Sequence, residues 1–219
     1  MKRRLLPVAL SLLLAGGAHA QDASSIPPPR DAAYAPGAIR LDIDATNLSQ
    51  RIFKIKQTIP VASGPLTLLY PAWVPGGHSP RNAIDKIAGL TFKAGDRKLE
   101  WKRDPLNVFA FHLDVPQGVS EIIAEFDFLT ATGTGQGRVV MTPRMLNLQF
   151  LSTVLYPAGH YAGKIQFDPR VTYPAGWTAF TALHEQGRSG DTVDYEDVPL
   201  DILVDSPVYA GRHTKNIDL

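Results

Sequence analysis

Between Val108 and Val115 the chain alternates without interruption. Phe109, Phe111, Leu113 and Val115 fall on one side, and Ala110, His112 and Asp114 on the other. A period of two is the signature of a half-buried strand, because successive side chains point to opposite faces of a sheet. Ile39, Leu41, Ile43 and Ala45 repeat the pattern, and further short strand-like segments fall at 52–59, 66–70, 84–92, 98–102, 122–128, 138–141 and 146–151. A second half continues at 153–156, 164–167, 171–173, 177–183, 192–195 and 203–209. Between these runs stand turn sequences such as Ala94-Gly95-Asp96-Arg97, Pro116-Gln117-Gly118, Asp168-Pro169 and Pro174-Ala175-Gly176, drawn from 18 Gly and 18 Pro. Helical periodicity is not sustained over the roughly 12 residues that identify a helix, although 81–88 has room for a single turn. The pattern predicts an all-β fold, either a β-sandwich or a long curved antiparallel sheet, with little helix.

Lys2, Arg3 and Arg4 precede an apolar run from Leu5 to Ala15, and Ala18-His19-Ala20 ends it with small residues at the first and third positions. This is the layout of a secretory signal peptide, so residues 1–20 are expected to be removed by cleavage after Ala20 and the product to be periplasmic or secreted. The run is about half of the roughly 20 residues that cross a bilayer, so no membrane anchor is expected. A small outer-membrane barrel is disfavoured by short strands, frequent Pro and the lack of aromatic girdles. Residues 21–37, with Pro27-Pro28-Pro29 and Pro36, read as an extended Pro-rich lead-in with little packing of its own. Residues 38–219 carry no linker-like stretch and are expected to form one domain.

Without any Cys the chain has no disulfides, and its stability rests on its core. Loss of the three signal-peptide cations leaves 19 basic residues against 21 acidic ones, a balance of −2. That balance does not suit a nucleic-acid partner, and no basic patch is interleaved with aromatics.

The stretch from Leu69 to Asn82, Leu-Tyr-Pro-Ala-Trp-Val-Pro-Gly-Gly-His-Ser-Pro-Arg-Asn, is unlike generic strand sequence. Pro71, Pro75 and Pro80 fix φ, whereas Gly76 and Gly77 permit positive φ, so the run Leu66 to Tyr70 should leave its sheet as a stiff, shaped loop. Its candidate contact residues are Trp73, Pro75, Gly76, His78 and Arg81. An imidazole and a guanidinium on one loop can hold a carboxylate, and loops on rigid scaffolds are where binding groups concentrate. The competing reading is structural, with Trp73 plugging the edge of the core.

The Trp-x-Pro-Gly core followed by Ser79-Pro80-Arg81-Asn82 and Ile84-Asp85-Lys86 resembles the N-terminal domain of the M61 glycyl aminopeptidase family. Trp101-Lys102-Arg103-Asp104-Pro105, Val108 to His112, Arg138 to Pro143, Leu155 to Gly159 and Leu203 to Val208 extend the resemblance over nearly the whole chain after residue 37. Most members follow Trp-x-Pro-Gly with Ser-Tyr where this chain has Gly77 and His78, so no role of that Tyr is carried over. The resemblance implies a β domain that precedes a thermolysin-like zinc catalytic domain, with the catalytic part missing from this sequence.

Zinc peptidase chemistry needs two His four residues apart on a helix, with a Glu between them to activate water. The nearest approach, His184-Glu185-Gln186-Gly187-Arg188, ends in Arg and contains Gly, and reads as a β-turn. The remaining His are dispersed, no Gly-x-Ser-x-Gly elbow occurs, and Gly133, Gly135 and Gly137 lack the final glycine and the helix of a phosphate loop. The predicted catalytic and metal-ligand sets are therefore empty, and no cofactor is expected here, zinc belonging to the missing catalytic domain. The resemblance implies a non-catalytic domain that packs on a zinc peptidase domain, in cis or in trans, and helps form its substrate cleft. The alternative is a free-standing periplasmic module that binds a peptide or a protein.

Overall fold

The computed structural model describes residues 26–73, 77–133, 135–215 and 217. The predicted signal peptide and the first five residues of the lead-in lie outside them. The first strands in chain order are β1 (Ile39–Asp44), β2 (Ile52–Pro60), β3 (Gly64–Leu69), β4 (Ile87–Ala94), β5 (Arg97–Leu99), β6 (Trp101–Arg103), β7 (Ala110–Val115) and β8 (Glu121–Leu129). Next come β9 (Val140–Met141), β10 (Met145–Leu148), β11 (Tyr156–Pro157), β12 (Gln166–Thr172) and β13 (Thr178–Phe180). The last are β14 (Glu185–Ser189), β15 (Thr192–Tyr195), β16 (Val198–Pro199) and β17 (Val208–Gly211). Among the described residues helix is confined to α1 (Leu200–Val204) and three 3-10 turns, at Ile84–Lys86, Phe150–Ser152 and Ala162–Lys164. The fold is all-β, as the alternation predicts.

These strands form three sheets. The largest has nine strands, ordered β14-β15-β12-β1-β2-β8-β4-β5 with β16 also on β12, and the other two are β13-β17-β10-β9 and β11-β3-β7-β6. All pairings between named strands are antiparallel except β1 with β12, which is parallel. Inward positions of all three sheets merge into one apolar cluster: Ile39, Leu41, Phe53 and Phe128 from the large sheet, Leu68 and Phe111 from the second, Leu146 and Val208 from the third. Burying such side chains contributes about 1.5–3 kcal/mol each.

The outward face of the large sheet is built differently. One row of cross-strand neighbours reads Asp194, Arg170, Asp42, Lys56, Glu125 across five strands, so that every charge faces its opposite. The next row carries Asp44, Lys54 and Asp127 in the same alternation. Arg170 bonds Asp194, Arg40 approaches Asp168 at 3.4 Å, and Lys93 reaches Glu125 at 2.6 Å. Opposite charges placed directly across strands stabilise a sheet, and together they give this face little net field. Gly89, at φ +66°, sits in the register shift between Ala88 and Thr91, and the face is hollowed there into a cavity of about 410 Å³ lined by Asp42, Asp44, Lys54, Lys56 and Asp127.

Several local expectations are corrected. Asp168-Pro169, predicted as a turn, lies inside β12. Pro169 is tolerated because the far edge of β12 changes partner there: residues 170–172 pair with β15 and residues 166–167 with β16, so its missing N–H falls in the gap. His184 to Arg188 is not a turn, since Glu185–Ser189 is a strand hairpinned onto β15 and Gly190 makes the turn. The predicted strand at 203–209 is α1 followed by β17: Pro199 precedes the helix, and Leu200 and Leu203 turn inward together at i, i+3. The run at 98–102 is split between sheets, with Leu99 in the large one and Trp101 in the second. The lead-in is docked, not free. Arg30 and Tyr34 donate backbone hydrogen bonds to Gly159 and Lys164, and the Tyr34 hydroxyl donates to the Pro60 carbonyl.

Burial pushes the Tyr34 phenol up to about 12, and it also raises Tyr70, Tyr156, Tyr173 and Tyr195, the last two joined hydroxyl to hydroxyl at 2.7 Å. In the unfolded chain a phenol ionises near pH 10. The fold therefore favours the protonated form. The stability tied to these groups is fully present below pH ~10 and is lost as pH rises through the folded values. In an alkaline titration, tyrosinate absorbance from these buried phenols is expected to rise together with loss of far-UV circular dichroism above pH ~10. A tyrosinate signal that is complete while the dichroism is intact would contradict the burial account.

Candidate functional site

The Trp73 loop leaves β3 through Tyr70 and Pro71, both buried. The Tyr70 ring stacks on Phe109 with an interplanar angle of 3°, and its hydroxyl donates to the Ser152 carbonyl at 3.3 Å. Trp73 and Pro80 form an isolated antiparallel bridge, and Asn82 N–H donates to the Ala72 carbonyl, so the excursion is pinched shut at its neck.

Asn82 secures that neck. It is 7% exposed, and its Nδ2 donates to the carbonyls of Pro71 at 2.8 Å and Leu151 at 2.7 Å. Its Oδ1 accepts from Ala83 N–H and from the Ser152 hydroxyl. One amide thus satisfies both ends of the loop and ties them to the 3-10 turn at Phe150–Ser152. The sequence reading includes Asn82 in the stretch but gives it no role. The available signal is an Asn just after Ser-Pro-Arg at a loop exit, where Asn commonly bonds local backbone.

Trp73 is 60% exposed and therefore does not plug the core. His78 and Arg81 are exposed as well, and Arg81 Nε donates to the Ser79 hydroxyl at 2.7 Å. Among the described residues no hydrogen bond or ion pair joins His78 to Arg81. Pro75 and Gly76 lie outside the described residues. What is described is a rigid base presenting an aromatic, an imidazole and a guanidinium to solvent.

The 3-10 turn that follows the loop holds the segment around Gln136. Lys86 donates to the Gln136 carbonyl, and the Gln136 side-chain oxygen accepts from Thr132 N–H, the Thr132 hydroxyl and Gly133 N–H. Gln136 thereby fastens this end of the segment to Thr132 and Gly133.

A second constellation is an Asp–His–Thr chain. His112 Nε2 lies 2.8 Å from Asp104 Oδ2, and its Nδ1 lies 3.0 Å from the Thr67 hydroxyl. The order mimics a nucleophile, base and orienting acid, but Thr67 and His112 are cross-strand partners in mid-strand. Asp104 is also committed to structure, because its other oxygen accepts from the N–H groups of Leu106 and Asn107. The chain pins the turn after β6 onto β7. Among the described residues no group of three or more His, Asp or Glu is placed to hold a metal ion, and no helix is long and apolar enough to cross a membrane.

No curated protein matches the sequence. Among solved structures, the aminopeptidase N family protein from Idiomarina loihiensis superposes with a TM-score of 0.65 at 17% identity, covering 79% of this chain and 29% of that one. The M1 zinc metallopeptidase from Deinococcus radiodurans gives a TM-score of 0.45 at 12% identity, covering 85% and 43%. At such identity the first likeness is one of fold, and this chain spans less than a third of that protein's length. The Peptidase M61 N-terminal domain matches residues 40–212, from β1 to the end of β17 and through the Trp73 loop. The chain belongs to the peptidase M61 N-terminal domain family.

Proposed function

We propose that this chain is the N-terminal β domain of an M61-like periplasmic zinc aminopeptidase. It does not hydrolyse peptides by itself. It packs against a zinc peptidase catalytic domain, in cis or in trans, and helps wall the substrate cleft. Zinc and the water-activating Glu belong to that partner domain. The observation that carries the reading is the Trp73 loop, where an exposed aromatic stands on a base immobilised by Asn82 and Tyr70, within a domain type named for its peptidase. Exposed aromatics held rigidly are the common anchors of recognition surfaces.

Two experiments test it. The chain alone should show neither stoichiometric zinc binding nor Gly- or Ala-peptide hydrolysis; zinc with turnover would overturn the proposal. The gene downstream of codon 219 should encode, in frame or in a neighbouring frame, a domain with His-Glu-x-x-His. A stop codon with no such partner would favour the free-standing binding module.

The loop gives a sharper expectation. Because Trp73 is mostly exposed, Trp73→Ala should change the chain's unfolding free energy by no more than about 0.5 kcal/mol. In the assembled enzyme the same change should lower peptide kcat/KM roughly tenfold, the scale of one interface anchor. A large stability loss with unchanged turnover would return Trp73 to a packing role.

A further inference from the structure

The three sheets differ in what they show outward. The nine-stranded sheet carries the charge ladder, and the β11-β3-β7-β6 sheet shows Lys102, His112, Thr67 and Asp114. On β13-β17-β10-β9 the two outward rows are Phe180, Tyr209, Asn147, Val140 and Thr178, Gly211, Met145. Neither row contains a charge. Phe180 and Tyr209 are direct cross-strand partners, 41% and 50% exposed. Beside them Asn147 is buried, its Oδ1 accepting from Gln149 Nε2 at 2.7 Å. Gly211, buried at the Arg144 end of the sheet, has no room for a side chain, since a Cβ there would meet the Arg144 carbonyl at 3.1 Å. Depletion of charge with enrichment of Tyr, Phe and Met is the composition of an interface centre.

We infer that this face, with Phe180 and Tyr209 as its anchors, is the surface on which the zinc peptidase catalytic domain docks. The inference rests on the function proposed above and names the surface it uses. Two features select that occupant. The polypeptide leaves the fold from β17, an inner strand of this sheet, so a domain joined in cis starts beside the face. The face is also continuous with the Trp73 loop: β10 runs through Gln149 directly into Phe150–Ser152, whose Leu151 carbonyl and Ser152 hydroxyl hold Asn82. A catalytic domain seated on the sheet therefore meets the loop at its margin. Arg144 and Arg212, adjacent at one end of the sheet and without ion pairs among the described residues, call for acidic residues on the partner's rim.

The test measures, by calorimetry, the affinity of this chain for the zinc-loaded catalytic domain of an M61 aminopeptidase, verified as folded. The variants are Phe180→Lys with Tyr209→Glu, which keeps a favourable cross-strand pair, and Lys56→Ala on the charged face as control. The double variant should keep the wild-type dichroism and melting temperature and bind at least tenfold more weakly, with the control unchanged. Equal binding by the double variant overturns the assignment of this face while leaving the domain reading intact. No binding by the wild-type chain overturns both. A wild-type dimer in sedimentation that the double variant abolishes would make the face a self-interface, and this too overturns the inference.

Discussion

Replacing Gln57 by Leu is expected to destabilise the chain by about 3–5 kcal/mol. In β2 the inward positions are Phe53, Ile55, Gln57 and Ile59, so Gln57 stands where the alternation calls for an apolar side chain, and it is fully buried. Its Nε2 donates to the Leu155 carbonyl at 2.9 Å, and its Oε1 accepts from Leu155 N–H at 2.7 Å. Residues 153–155 have no strand partner, and this side chain takes the place of one. Leu would fit the volume but leave a buried donor and a buried acceptor unpaired, each costing roughly 1–3 kcal/mol before packing changes are added. Urea unfolding should show a lower midpoint with an unchanged m-value. A loss below about 1 kcal/mol would mean that Leu155 finds other partners.

Asn82→Ala is expected to cost about 2–4 kcal/mol and to act locally first. The change removes both donors that hold the Pro71 and Leu151 carbonyls and the acceptor for Ala83 N–H. Hydrogen exchange should accelerate over 70–73, 77–83 and 150–153 before the strands of the large sheet respond. Asn82→Asp separates hydrogen bonding from size: it keeps the acceptor, loses the donors, and should resemble Ala. Uniform acceleration across all three sheets would mean that the neck is not a separable unit. On the function proposed above, the same loosening should weaken the proposed Trp73 contact with a catalytic domain without removing the indole.

The period-two runs carry the fold class, because burial on one face of a strand leaves an unmistakable imprint; β2, β7 and β8 lie close to where alternation puts them. Less was legible where tertiary pairing decides. Pro169 reads as a breaker, and only the change of partners along β12 makes it acceptable. Leu203 reads as strand, and the inward pair Leu200 and Leu203 makes it helix. At the site, the stiff exposed loop follows from its Pro and Gly content, whereas Asn82 was missed because its importance lies in bonds to Leu151 and Ser152, about 70 residues away. The aromatic face of the third sheet was hidden for the same reason: Phe180, Tyr209 and Asn147 come together only through pairing.

The parallel pair between β1 and β12 has a consequence for how the chain folds. Arg40 meets Asp168 across 128 residues, so the first strand of the fold is completed only by its twelfth. Contacts this distant in sequence slow folding, because loop closure precedes any gain from pairing. Until β12 arrives, β1 can pair only with β2 and remains an open edge. Arg40, Asp42 and Asp44, which later enter the charge ladder, are the side chains that edge shows to its surroundings in the meantime. Charges at alternate positions on a waiting strand discourage other chains from pairing with it. The ladder that stabilises the finished sheet thereby also protects the unfinished one.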